Sequence, residues 1–307
     1  MLLGSENITF GIGAHEEGRR RKRHSSGGSS IAGAAAEEMR AVLERGNDDL
    51  LDNDEHPPST WKEIRLLIEL AIPTIIVQLG AVVPPFMTAS YVGRNFGAVY
   101  LDGFQLANLT GNLFTLSLCQ GLYSASDTLS PQAYGAGNFK EVGLIAVRGF
   151  LGSILLMTPI CLFLFVYLEP AMIWFGEDPL ASIQAGRWYG IYVASLPFYA
   201  LYNVTWKFLS AQNVMTPLLL STAVSCLLVL PLALELGVRW FGFLGSAMAV
   251  VMFQVSQASV VLLYLWWFRP HHLETWPPTM WQSIGQALEY KSLRLYFYLG
   301  LGGIVAS

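Results

Sequence analysis

The residues of this sequence that could do chemistry are uncharged polar side chains inside otherwise apolar runs. Gln78 and Thr88 fall in one such run, Asn108 and Asn112 in a second, and Tyr199, Tyr202 and Asn203 in a third. Amides and hydroxyls there are candidates for contact with a solute or a small ion lining a cavity. Amides in an apolar medium must find partners, and bonds between neighbouring helices, at about 0.6 kcal/mol on average, satisfy them as well. Both roles stay open at this level. The adjacent His271 and His272 make a weak metal site with no third ligand near them. There is no His-Glu-x-x-His, Walker loop or Gly-x-Ser-x-Gly, so neither enzyme chemistry nor a metal or cofactor is expected.

Helices in a bilayer must position these residues. Of 307 residues, 53% are hydrophobic and 13% charged, against about 25% charged in an ordinary soluble domain. The mean hydropathy is +0.44. Charge is also unevenly spread, because nine of the 18 Lys and Arg fall within the first 65 residues. A bilayer core of about 30 Å needs about 20 helical residues. Six runs meet that length with at most one charge: Leu66–Val92, Gly103–Ser126, Gly149–Leu168, Trp188–Trp206, Phe208–Leu234 and Trp240–Phe268. A further run, Leu295–Ser307, reads as a truncated seventh span. The expected fold is therefore all-α and polytopic, with a disordered cytoplasmic tail over 1–60 and six spans over 61–268. An interfacial linker over 269–294, with Trp276 and Trp281 at headgroup depth, leads into 295–307. The tail is Gly-, Ser- and acid-rich, too poor in apolar surface to offset the entropy of ordering.

With the N-terminus inside, the cytoplasmic flanks carry Lys62, Arg65, Lys140, Arg148, Lys207, Arg269, Lys291 and Arg294, and the outer flanks only Arg94, Arg187 and Arg239. That bias fits the positive-inside rule. The net charge of −4 gives no reason to expect a nucleic-acid partner. Cys119, Cys161 and Cys226 lie in apolar runs and read as small hydrophobes. Prolines recur inside the runs, and the pair Pro84-Pro85 removes two adjacent donors in mid-span, which predicts a bend. Asp127 ends the second run and Arg148 precedes the third. They are expected to pair near the inner mouth and lock the turn Gln132–Gly137, as structure and gating rather than a proton relay. Two independently solvated termini are the alternative.

That turn also carries a family likeness. Asp127-Thr-Leu-Ser-Pro-Gln132-Ala-Tyr-Gly135-Ala-Gly137, followed by Lys140-Glu-Val-Gly143 and Arg148, resembles the multidrug and toxic compound extrusion (MATE) transporters, especially eukaryotic ones. Further matches occur in order: Leu70-Ala-Ile-Pro73, Tyr91-Val-Gly-Arg94, Gly176-Glu-Asp-Pro179, Lys207-Phe-Leu-Ser-Ala-Gln212 with Pro217, and Gly242-Phe-Leu-Gly-Ser-Ala247. The resemblance covers about 60–307.

It implies a fold of twelve helices in two six-helix lobes, of which this chain holds one lobe and the start of a seventh helix. It also implies secondary active efflux of organic, often cationic, small molecules by alternating access, driven by H⁺ or Na⁺. Such a mechanism needs the second lobe, and the sequence reads as truncated before it. Relatives occupy plasma or vacuolar membranes. Where prokaryotic members carry a coupling Asp, five residues before the Gly matching Gly93, this sequence has Thr88. A hydroxyl there can coordinate Na⁺ or substrate but cannot carry a proton near neutral pH. Two other readings compete: a half-length membrane subunit without transport activity, and a seven-helix receptor. The receptor runs against the charge bias and lacks the Asp-Arg-Tyr and Asn-Pro-x-x-Tyr motifs.

Overall fold

A computed structural model describes residues 60–271, 273–275, 285–287, 289, 293–294 and 296–300. The expected tail up to residue 59, His272, Trp276, Trp281, much of the linker and residues 301–307 lie outside the described residues. The chain divides into two units, Met1–Leu67 and Ile68–Ser307. Of the first, only the helical residues 60–67 are described. The second holds the helical bundle.

Among the described residues there is no strand, and six helical rods succeed one another. They are α1 (Thr60–Phe96), α2 (98–135), α3 (Phe139–Trp174), α4 (179–210), α5 (Thr216–Phe241) and α6 (Phe243–Phe268). Four stretches are long and apolar enough to cross a membrane by length and composition: Ala71–Phe96, Phe139–Trp174, Thr216–Phe241 and Phe243–Phe268. The sequence predicts spans at the other two rods, α2 and α4, as well. Both are interrupted, α2 by a π turn at Asn112–Leu116 and α4 by a 3₁₀ turn at Val193–Ser195, as α5 also is by a π turn at Ser225–Val229. They also carry much of the amide and hydroxyl content.

The connections are short, and sequence chemistry explains where each rod stops. At the α2–α3 turn the amide of Asn138 donates to the Ala133 carbonyl and that of Gly137 to Tyr134, with Gly137 at φ +72°. This is a Schellman cap, whose left-handed position favours glycine. The stretch Gly176-Glu-Asp-Pro179 combines a stop and a start. Gly176 caps α3 in the same way. The Asp178 carboxylate then accepts from the amides of Leu180 and Ala181 at 2.7 and 3.1 Å, and Pro179 opens α4. Between α5 and α6 the backbones meet so closely that a Cβ on Gly245 would lie 2.0 Å from the Gly237 carbonyl oxygen. Small residues at such crossings let membrane helices pack without a gap.

The largest core cluster joins α1, α2, α3, α4 and α6 around Val92, Phe104, Trp188, Tyr189 and Phe243. The Trp188 indole donates to the Ser246 hydroxyl at 3.0 Å, so its polar edge is satisfied. A second cluster gathers Tyr202, Trp206, Leu209 and Leu218 with Val77 and Val261. The third ties α1 to α5 and α6 through Met87, Tyr91, Leu230 and Phe253. On the outside, α3 presents Leu155, Leu162, Phe163, Phe165 and Val166, and α1 presents Ile72, Ile75, Ile76 and Leu79. An apolar surface of that extent is a liability in water and the expected exterior in lipid.

Candidate transport cavity

Between α1, α2, α4 and α6 lies a cavity of about 150 Å³. From α1 come Gln78, Ala81, Pro84 and Pro85, and from α2 Phe104, Asn108, Asn112 and Gln120. The rod α4 contributes Tyr192, Tyr199, Tyr202, Asn203 and Trp206, and α6 contributes Phe253, Gln254 and Gln257. The π turn of α2 has a geometric role here. Residues spaced by four drift about 40° around an α-helix at each step. A single wider turn takes back part of that drift, so the stripe Phe104–Asn108–Asn112–Leu116–Gln120 keeps facing the cavity. The hydroxyl of Ser117 donates to the Asn112 carbonyl across that turn at 2.9 Å.

The lining is partly self-satisfied. Gln120 donates to the Tyr199 hydroxyl at 2.8 Å and reaches the Asn203 side-chain oxygen at 3.5 Å. Asn203 in turn donates to the Tyr199 carbonyl at 2.9 Å. Tyr202 turns its hydroxyl out of the cavity toward the Thr222 hydroxyl, 3.1 Å away on α5. Gln254 lines the cavity with other atoms, since its side-chain carbonyl oxygen is buried away from any water-sized space and has no hydrogen-bond partner among the described residues. No Asp, Glu, Lys, Arg or His is among the lining residues.

Of the residues singled out from sequence, the structure brings Gln78, Asn108, Asn112, Tyr202 and Asn203 to this one cavity. Thr88 is not among them. It is fully buried, it does not line the cavity, and its hydroxyl has no partner among the described residues. Gln120, Gln254 and Gln257 are lining residues that the sequence reading leaves out. The signal that picks out Gln78, an amide within an uncharged run, marks them equally.

The expected Asp127–Arg148 pair is corrected. Asp127 accepts from Lys207 on α4 at 2.8 Å, and the Lys207 ammonium lies 4.9 Å from the centroid of the Trp206 ring. Arg148 pairs with Glu141 and donates to the Ala287 carbonyl at 3.3 Å. The reason is helical phase. Glu141 and Arg148 stand seven residues apart on α3, two turns on one face, while Asp127 faces α4. Arg148 is only 5% exposed, so it does not snorkel to the surface. The Gln132–Gly137 turn needs no ionic lock, since its own backbone closes it: the Gln132 carbonyl accepts from Ala136, and Gly137 occupies the left-handed position. Gly135 has open space around it.

Beyond α6 the chain returns to the α2–α3 face. Tyr296 is fully buried, and its hydroxyl lies 2.7 Å from that of Ser126. It clusters with Leu122, Ala125 and Ile145. Residues 296–300, the described part of the seventh run, are helical.

Comparison with known proteins agrees with this architecture. The sequence profile of the MatE family matches residues 73–234. The chain is 33% identical over 225 residues to the multidrug and toxin extrusion protein 1 of Rattus norvegicus, covering 73% of this chain and 39% of that one. Its identity to the Homo sapiens protein of the same name is 34% over 206 residues, 66% of this chain and 36% of that one. The chain thus spans well under half the length of these relatives. Among solved structures, the eukaryotic MATE transporter AtDTX14 superposes with a TM-score of 0.67 at 23% identity, over 80% of this chain and 57% of the other.

Proposed function

The chain belongs to the MatE family, and from that premise we propose that it supplies one six-helix lobe of a secondary active transporter exporting small organic molecules. The observation that carries this reading is the cavity itself: amides and aromatic rings face inward within a bundle whose outer surface is apolar. Polar groups at membrane depth are expensive and persist where they line a wet cavity or bind something. Residues 61–268 form the lobe, 269–294 join it to the next span, and 295–307 begin that seventh span. Transport then requires a second six-helix lobe, against which this one rocks to expose the cavity to each side in turn. Pro84 and Pro85 place two missing backbone donors on the cavity wall, where α1 can bend.

The driving gradient is H⁺ or Na⁺. The charge-free lining offers oxygens for Na⁺ and no carboxylate for a proton. The N-terminus is cytoplasmic, by the distribution of Lys and Arg in the short loops, and the host is a plasma or vacuolar membrane. The test is to join this chain to the second lobe of a MatE relative and express the fusion in efflux-deficient cells. A fluorescent organic cation should accumulate less than in control cells only while an ion gradient is present, and Asn112→Leu should abolish the difference. Equal accumulation with and without the gradient contradicts the reading.

A further inference from the structure

We propose that a groove on the lipid-facing side of α4, α5 and α6 binds one anionic phospholipid, with an acyl chain in the groove and the phosphate on Arg187. The groove has a volume of about 440 Å³ and shares no lining residue with the central cavity. Ile191 and Ala194 of α4, Ala233, Gly237 and Trp240 of α5, and Met252 of α6 line it, and no lining residue is charged.

Its depth fits one leaflet. Trp240 is 74% exposed beside the α5–α6 turn, and tryptophans gather at the membrane–water interface. At the other end, Met252 stands nine residues into α6 from Phe243, or about 14 Å of helix. Half of a hydrocarbon core of about 30 Å is nearly the same length. The groove thus runs from the interface toward the midplane, the reach of one acyl chain. An empty concavity leaves its lining without contact partners, and a chain supplies them. The protein's own chain beyond α6 turns elsewhere: Tyr296 packs with Leu122, Ala125 and Ile145 on α2 and α3.

Charge supplies the headgroup's partner. Arg187 precedes Ile191 by four residues and Ala194 by seven, which places the three on one face of α4. Short turns make successive rods antiparallel, so Arg187 lies toward the same membrane surface as the α5–α6 turn. It is exposed, and it has no ion pair among the described residues. Arg239 on α5, by contrast, is already held by Glu235. A free guanidinium offers a fork of donors that matches a phosphate. An apolar slot with such a group at its mouth is complementary to a phosphate-bearing amphiphile.

The experiment titrates the purified full chain in detergent by native mass spectrometry with three probes. Dioleoyl phosphatidylglycerol has both parts, dioleoylglycerol has the same chains without phosphate, and glycerol phosphate has no chains. Phosphatidylglycerol should bind about five-fold more tightly than dioleoylglycerol, the effect of one cation beside an anionic headgroup. Glycerol phosphate should not bind detectably. Arg187→Gln should bring the two lipids to equal affinity. Arg94→Gln removes an exposed cation from α1, which does not line the groove, and should change neither. Ala194→Trp puts an indole into the groove and should abolish saturable binding of both lipids. Because Arg187 is exposed, its variant keeps the test open if the tryptophan form does not fold. Equal binding of the two lipids by the unmodified chain overturns the proposal. So does an Arg187→Gln form that still prefers phosphatidylglycerol, or an Ala194→Trp form that binds as the unmodified chain does. Saturable binding of glycerol phosphate would assign an anion site without the groove and overturns it too.

Discussion

Two polar regions of this bundle, one built on an ion pair and hydroxyls and the other on amides and aromatic rings, treat their polar groups in opposite ways. On the α2–α3 face, the buried Arg148 has a carboxylate and a carbonyl, and Ser126 and Tyr296 have each other. In the cavity lining, Gln78 and Asn112 are exposed, and the Gln254 oxygen, itself buried, has no partner among the described residues. The first region spends its polarity on holding the chain beyond α6 against the bundle. The second keeps polarity in reserve. Matched polar groups at membrane depth are architecture, and unmatched ones facing a cavity are where a ligand has something to contribute. The position of a polar residue in an apolar run does not separate these roles. The count of its partners does.

The contrast is sharpest if the architectural side is broken first. Glu141→Gln leaves the buried Arg148 guanidinium without its carboxylate and should lower stability by about 2–3 kcal/mol, toward the low end for buried pairs because Glu141 is a third exposed. Thermal unfolding in detergent, with hydrogen exchange of residues 285–300, reads both the loss and the release of the returning segment. Asp127→Asn breaks a pair whose carboxylate is 53% exposed and should cost less than about 1 kcal/mol. Equal losses from the two would erase the distinction between buried and exposed pairs.

Next is the hydroxyl pair. Ser126→Ala or Tyr296→Phe alone strands a buried hydroxyl and should cost about 1–2 kcal/mol, whereas the double variant should cost no more than either single one. Additive losses would mean that the two hydroxyls do not share a bond. The cavity side should answer with the opposite sign. Gln254→Leu removes an unmatched buried acceptor, so the melting temperature should hold or rise.

The smallest effect belongs to His271, just beyond α6. It is buried against the Phe208 ring, and burial, followed by the nearby charge of Arg269, lowers its pKa. The folded chain therefore prefers the neutral imidazole, and the unfolded chain binds a proton at higher pH. The contribution is fully present above the ordinary histidine range of about 6.5 and is lost as pH falls through the depressed folded value. His271→Gln should flatten that limb of a stability–pH profile, and an unchanged limb would assign it to other groups.

Much of the architecture is legible in the sequence because charge and chain length mark helix ends. Four of the six apolar runs fall within one rod each, while Phe208–Leu234 and Trp240–Phe268 begin in the preceding rod because the turns at 211–215 and at Gly242 carry no charge; Asp178-Pro179 and Gly137 sit where a helix must start or stop. What is not legible depends on helix rotation. Lys207 reaches Asp127 because α4 turns that residue toward α2, and no spacing along one helix encodes the phase of another. Gln120 stays on the cavity face only because a π turn precedes it, and an extra residue per turn leaves no clear mark in an apolar run. Thr88 shows the converse. Its position in a family pattern suggests a role in the cavity, yet it is fully buried and does not line that space.

The central claim is that the space between α1, α2, α4 and α6 is wet. Cysteine accessibility tests it directly in nanodiscs, with Cys119, Cys161 and Cys226 replaced by alanine. A single cysteine introduced at Asn112 should react with a water-soluble, membrane-impermeant thiol reagent, while one at Leu155 on the outer face of α3 should stay unreactive. An unreactive cysteine at position 112 would contradict the claim.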